Sequence, residues 1–249
     1  MKKSILVSGL IFFANVASAQ VQAPVAPIEA SDPRYYELSK PTLVEIADPD
    51  PTGSWMQPYI DEVTQSSSLS YATSLPTLKT ATTSVSVDEI IAVGKLVWNI
   101  IEKNQPKVDV KTNRMSVLPK AAKDWTDLER WSNPESRVFK IAYKNGFGSE
   151  IVSFSFRVVY FFGGRYNGAG KYIANVTVIP TSTYVGWGYT LNSRVEFPTI
   201  VNLGTLLDPI VGAQLDVSWE VETVMKKSRE SASYFVRGDG QIIDLTYGF

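Results

Sequence analysis

The sequence predicts a mainly β protein: an antiparallel, sandwich-like sheet domain with one packed amphipathic helix at residues 86–104 and a proline-rich N-terminal arm. Three observations support this fold class. Apolar and polar residues alternate from residue 135 onward, as in half-buried antiparallel strands. A run starting at Ser86 has helical spacing, and eight of the fourteen prolines fall between residues 20 and 85. A β-barrel is the alternative architecture, because its strands alternate in the same way.

The predicted strands place apolar side chains at every second position. Asn145-Gly146 follows the first strand and Asp239-Gly240 separates the last two, and both dipeptides favour tight hairpin turns. We expect Trp187 and Trp219 in the core, because both fall on the apolar faces of their strands. The predicted runs are 137–144, 152–160, 172–178, 185–197, 215–225, 231–237 and 241–249.

The helix prediction rests on the start of the run at 86–104. Ser86-Val87-Asp88-Glu89 fits a capping box, in which Ser and Glu satisfy free backbone N–H groups. Ile90, Val93 and Val97 follow at helical spacing, and Pro106 ends the pattern. A broad apolar stripe of this kind indicates a helix packed on a sheet. A second, shorter helical pattern extends from Pro119 to about Trp131.

The N-terminus has the layout of a secretory signal peptide. Met1-Lys2-Lys3 is basic, an apolar run extends from Ile5 to Val16, and Ala17-Ser18-Ala19 supplies a small-residue cleavage site. The apolar run is too short to span a bilayer. We therefore predict a signal peptide at 1–19, a mature chain starting at Gln20, and export to the periplasm, the outer membrane or the extracellular space.

The mature chain divides by composition. Residues 20–85 are rich in proline, which resists regular helix and sheet, and residues 66–84 contain eleven Ser or Thr in nineteen. This composition predicts an extended arm and linker. Residues 86–249 then form the helix and the antiparallel β domain.

Composition also excludes several classes of function. The chain has no Cys and no His, which excludes disulfides, thiolate or imidazole metal sites and a Ser-His-Asp triad. Its 24 basic and 25 acidic side chains give no reason to expect a nucleic-acid partner. We expect no cofactor, identify no catalytic residue, and favour a protein that is not an enzyme.

Three carboxylates are the candidates for a metal site. Asp216, Glu220 and Glu222 share one face of a predicted strand, with same-face neighbours ~7 Å apart. This spacing suits calcium or a glycosidase-like pair, although both need further groups. A solvated polar face, paired with Arg157 or Arg194 on neighbouring strands, is the commoner arrangement.

Two short motifs have structural explanations. The glycine-rich run 163–171 departs from the phosphate-loop pattern and lies between two predicted strands, so it predicts a hairpin loop. Arg237-Gly238-Asp239 is similar to the integrin-recognition tripeptide of adhesive proteins. Gly-Asp-Gly is also what a tight turn requires sterically, and we favour the turn.

The C-terminus alternates up to a terminal Phe, through Ile243, Leu245, Tyr247 and Phe249. Together with the signal peptide, this ending resembles the terminal strand by which outer-membrane β-barrel proteins are recognised for assembly. The resemblance covers nine residues and implies a membrane-inserted barrel. The apolar connection 198–209 and the count of about seven strands favour a soluble sheet instead.

Three functions follow from these features. The leading one is an exported envelope or extracellular protein that binds or assembles with a protein or envelope partner without catalysis. The second is an outer-membrane barrel or pore-forming protein, in direct contact with a membrane. The third is a carboxylate-dependent hydrolase.

Overall fold

The structure is a computed structural model that describes residues 26–54, 90–93 and 114–246. The predicted signal peptide at 1–19, the linker at 66–84 and the last three residues lie outside the described residues. In the described part the chain is mainly β and its strands pair antiparallel, which confirms this part of the fold prediction.

The strands form two sheets. The six-stranded sheet has the order β1 (Thr42–Ile46), β4 (Glu135–Lys144), β5 (Glu150–Tyr166), β6 (Ala169–Val185), β3 (Met115–Pro119) and β2 (Ile90–Val93). The five-stranded sheet has the order β11 (Ile242–Asp244), β10 (Lys227–Arg237), β9 (Val211–Glu222) and β7 (Thr190–Glu196), and β8 (Ile200–Asn202) also pairs with β9. Among the described strands, neither sheet closes on itself.

The predicted helix at 86–104 is wrong where the structure describes it. Residues Ile90–Val93 form β2, which pairs with β3 from Ile90↔Pro119 to Val93↔Ser116. Two Ile and one Val in four residues favour a strand, because β-branched side chains fit a pleated surface better than a helical turn. The rest of the predicted helix lies outside the described residues, which contain no α-helix.

The second helical pattern, from Pro119 to Trp131, is also wrong. Pro119 ends β3, and Trp125–Asp127 forms only a short 3₁₀ turn. The Asp124 carboxylate accepts a hydrogen bond from the backbone N–H of Thr126 at its start. Two further 3₁₀ turns, Ile28–Ser31 and Pro33–Tyr36, precede β1.

The two sheets contact each other through their inner faces. The rings of Phe139 in β4 and Tyr234 in β10 lie 4.4 Å apart. Trp219 in β9 is 2% exposed, and its indole N–H donates to the Tyr143 hydroxyl of β4 at 2.9 Å. Trp219 therefore lies in the core, as its alternation predicted.

Part of the N-terminal arm packs on these sheets. β1 pairs with β4 over five residues, from Thr42↔Ala142 to Ile46↔Val138. Ahead of it, the side chains of Tyr35 and Leu38 are buried in the core. The described portion of the proline-rich arm thus supplies an edge strand and two core side chains.

The face of β5 that points away from the core is also buried. Arg157 lies on this face and its side chain is only 1% exposed. It forms an ion pair with Asp48, in the loop that follows β1. On the same face of the sheet, Ser155 in β5 and Thr177 in β6 are 6% and 1% exposed. The alternation predicts a half-buried strand here, whereas these polar side chains of the outward face are buried as well.

Candidate functional site

The predicted candidates Asp216, Glu220 and Glu222 lie together on the outer face of β9, as their spacing implies. Asp216 accepts hydrogen bonds from the Gln214 amide at 2.9 Å and from the Ser233 hydroxyl at 2.7 Å. Side chains of β9 and β10 thus already satisfy this carboxylate.

The other two candidates are paired with cations of β10. Lys227 lies 2.7 Å from Glu220 and 3.3 Å from Glu222, and Arg229 also pairs with Glu220. Hydrogen bonds from Lys227 and then Arg229 lower the pKa of Glu220. In the described part of the chain, no three carboxylates converge in a group that would hold a metal ion.

Neither of the arginines that we expected beside these carboxylates pairs with them. Arg157 lies in the six-stranded sheet and pairs with Asp48, and Arg194 pairs with Glu196 at 2.6 Å. The partners come from β10 because the β9–β10 hairpin brings Glu220 opposite Arg229. Alternation alone predicts which residues share a face but not which strands are neighbours.

A different surface gathers side chains from three loops. The loops 145–149, 186–189 and 223–226 join β4 to β5, β6 to β7 and β9 to β10 at one end of the two sheets. Residues 34–38 run across all three. Arg34 accepts a backbone hydrogen bond from Gly146 at 2.8 Å, and Lys226 donates to the Leu38 carbonyl at 3.1 Å.

An aromatic cluster fixes the middle of this crossing segment. The Tyr189 hydroxyl donates to the backbone carbonyl of Tyr35, and the rings of Tyr35 and Tyr36 lie 5.8 and 6.3 Å from that of Tyr189. Burial raises the pKa of Tyr189 to about 12. Because five consecutive residues span at most ~14 Å between their first and last Cα atoms, the three loops are close together.

The loop tips expose large apolar side chains beside this cluster. Phe147 is 41% exposed, Trp187 40%, Val224 79% and Met225 60%. We call these four side chains the apolar end. The Arg34 guanidinium lies 4.6 Å from the centre of the Phe147 ring, which favours a fixed orientation of that ring.

Alternation alone does not reveal this surface, because it extends two predicted strands into the loops. Trp187 was predicted in the core and Met225 at the end of an apolar strand face, but both lie in loops. The glycines on either side of Trp187 are a signal that could have shown the break, since glycine in a strand pattern often marks a turn.

Arg237-Gly238-Asp239 lies in the turn between β10 and β11, at the opposite end of the sheets. The Gly240 N–H donates to the Arg237 carbonyl at 3.0 Å, and the Arg237 and Asp239 side chains pair at 2.6 Å. The glycine-rich run places Asn167 and Gly168 as the two-residue turn between β5 and β6, both with positive φ. Both motifs therefore occupy turns between strands.

Comparison with known proteins gives no match: no family model, no curated protein and no solved structure matches the chain. No helix in the described residues has the length and apolar character needed to cross a membrane.

Proposed function

We propose that this chain is an exported β-sandwich-like protein of the cell envelope or extracellular space that binds a protein partner through the apolar end and performs no catalysis. The observation that carries the proposal is the exposure of Phe147, Trp187, Val224 and Met225 on adjacent loops. Aromatic residues and Met are enriched in protein interfaces and often contribute most to binding energy.

The support beneath these side chains favours binding by a preformed surface. Residues 34–38 connect the three loops by hydrogen bonds, and the buried tyrosines 35 and 189 hold that segment in place. A surface that is already ordered loses less conformational entropy when a partner binds.

The charges around the apolar end favour a protein partner over a membrane. Arg34 and Lys226 lie at its edge, but so do Asp32, which pairs with Arg34 at 2.7 Å, and Glu37. An anionic membrane surface attracts a mainly basic rim. Mixed charges instead match a protein surface that carries both signs.

Photo-crosslinking in the exporting cell tests this function. A photoreactive amino acid at Trp187 or at Met225 should give the same discrete protein adduct, whereas one at the exposed Leu207, in the 203–209 loop at the other end, should not. Substituting Phe147→Ser and Val224→Ser should abolish the Met225 adduct, with no loss of folded protein because both side chains are exposed. Adducts with lipid instead of protein would contradict the proposal.

Export is tested by sequencing the N-terminus of the protein outside the cytoplasm. We expect the mature chain to begin at Gln20, since Ala17-Ser18-Ala19 supplies the cleavage site. The exported protein should also leave the membrane fraction in a carbonate wash. A retained Met1, or resistance to carbonate, would contradict an exported soluble binding protein.

A further inference from the structure

A cleft of about 340 Å³ lies at the end of the sheets opposite the apolar end. Its walls come from the loop 129–132, from β5 and β6 next to their hairpin, and from the turn between β10 and β11. Its volume is within the range of small-ligand sites.

Three cations line this cleft: Arg130, Arg165 and Lys171. In the described part of the chain, none of them forms an ion pair with a carboxylate. Among the described residues, the Arg165 guanidinium has one hydrogen-bond partner, the Gly168 carbonyl at 3.4 Å. The cleft therefore concentrates positive charge on side chains that no carboxylate of the described residues pairs with.

Among the described lining residues, the one acid is Asp239, and it is already paired. Asp239 accepts two hydrogen bonds from the Arg237 guanidinium, at 3.1 and 2.6 Å. Since Arg237 compensates this carboxylate, Asp239 does not cancel the charges of Arg130, Arg165 and Lys171. The described lining of the cleft therefore keeps a net positive charge.

Backbone hydrogen bonds fix the loop that carries Arg130. Glu129 and Arg165 exchange two backbone hydrogen bonds of 2.9 and 2.8 Å, and the Ser132 N–H donates to the Phe162 carbonyl at 3.0 Å. Trp131 packs directly over Gly164, where an added Cβ would lie 2.5 Å from the indole ring. Because residue 164 is glycine, the loop can lie against β5. The backbone hydrogen bonds then keep Arg130 near Arg165.

Gly238 allows the turn between β10 and β11 to lie close to Lys171 in β6. A Cβ on Gly238 would lie 1.9 Å from the Lys171 carbonyl oxygen, so only glycine fits there. The Gly238 carbonyl accepts a hydrogen bond from the Gly163 N–H at 3.0 Å. The cleft is therefore built from segments distant in sequence that are held together before any ligand binds.

We propose that this cleft binds an oxyanion of the phosphate class. Guanidinium groups match phosphate oxygens through paired hydrogen bonds, and Lys adds a compact positive charge. A free phosphate compound and the phosphate headgroup of a lipid share this chemistry. The site is separate from the apolar end and does not depend on the function proposed for it.

Calorimetry of the mature chain in low salt tests the site with inorganic pyrophosphate. Flotation with phosphatidylcholine vesicles, with and without phosphatidylglycerol, tests the lipid source. The double substitution Arg130→Gln and Arg165→Gln should weaken binding at least about tenfold, since each removes a charge-assisted contact. The control Arg194→Gln and Arg229→Gln removes the same charge from the five-stranded sheet and should change binding less than about twofold.

The substitution Asp239→Asn distinguishes the site from a folding effect. It leaves the Arg237 guanidinium uncompensated and adds positive charge beside the cleft. Pyrophosphate should therefore bind several-fold more tightly, which a misfolded variant would not show. If the native protein binds pyrophosphate and the Arg130→Gln, Arg165→Gln variant does not, the ligand is a free phosphate compound. If the variant loses only the binding to vesicles, the ligand is a lipid headgroup. Absence of both kinds of binding, or an equal loss in the control, would overturn the proposal.

Discussion

Trp219 and Glu220 are consecutive residues of β9 whose side chains meet opposite environments. Trp219 packs between the sheets at 2% exposure and donates to Tyr143. Glu220 points outward to Lys227 and Arg229. The period of two in a strand produces this contrast, and it makes neighbouring substitutions a direct test of which face is inside.

Trp219→Ala should destabilise the protein by ~3–5 kcal/mol, because it leaves a large cavity in the core. It also removes one of the two hydrogen bonds of the Tyr143 hydroxyl, which contacts Ser228 as well. Glu220→Gln should change the denaturation midpoint far less, since its ion pairs are at the surface. Urea melts of both variants provide the measurement. A larger loss for Glu220→Gln than for Trp219→Ala would reverse the assignment of the two faces.

The raised pKa of Tyr189 predicts that the folded protein loses stability at alkaline pH. Burial raises the pKa of Tyr189 to about 12, above the ~10 of an unfolded tyrosine. Between these values the unfolded chain has released this proton and the folded chain has not, so the free energy of unfolding falls as pH rises.

Tyr189→Phe is the control for this effect, because Phe does not titrate. Melts of the two proteins between pH 9 and 12 should show a steeper decline for the chain with Tyr189. Parallel declines would show that Tyr189 ionises in the folded protein as easily as in the unfolded one. The variant also loses the bond to the Tyr35 carbonyl, which lowers its stability at every pH and leaves the comparison of slopes intact.

Among the secondary-structure elements, an ion pair between Asp48 and the buried Arg157 connects the loop after β1 to β5. Arg157 is 1% exposed and Asp48 30%. Asp50 lies next to this pair, and hydrogen bonds from Ser54 and then Thr52 lower its pKa. Breaking a buried ion pair leaves a desolvated charge, which costs more than the pair itself contributes.

Asp48→Asn should therefore destabilise the protein by about 2 kcal/mol, below the ~3–5 kcal/mol of fully buried pairs because Asp48 is partly exposed. Adding Arg157→Met to this variant should restore part of the loss, since no buried charge remains. Denaturant melts of the single and double variants measure both effects. A double variant less stable than Asp48→Asn would show that Arg157 contributes mainly through other contacts.

The described parts of the N-terminal arm and the β domain pack together as one unit. β1 pairs with β4, and Tyr35 and Leu38 lie in the core. If the chain is cut between the N-terminal arm and the β domain, the two fragments should therefore remain associated.

Limited proteolysis should cut first within 66–84, because this Ser- and Thr-rich stretch lacks an apolar period. The two fragments should co-elute in size-exclusion chromatography and separate only in denaturant. Mass spectrometry identifies the cut. Fragments that separate under native conditions, or first cuts within 135–249, would contradict this prediction.

The antiparallel strands could be predicted from the sequence because their signal is local. Alternation over ten or more residues and Asn-Gly or Asp-Gly turns reflect the geometry of each strand and hairpin. The same local signal failed at 90–93, where a capping box and helical spacing indicated a helix. Pairing with β3 decided that segment, and such long-range pairing leaves no mark on local spacing.

Local patterns in the sequence were enough to predict the class of the fold and the burial of Trp219, and its composition excludes Cys and His chemistry. The exposure of Trp187 and Met225, the burial of Arg157 with Asp48, and the cleft shared by Arg130, Arg165 and Lys171 became visible only in the folded chain. The difference lies in the range of the interactions. Strand periodicity acts between residues two positions apart, whereas these sites form where loops from distant parts of the chain meet.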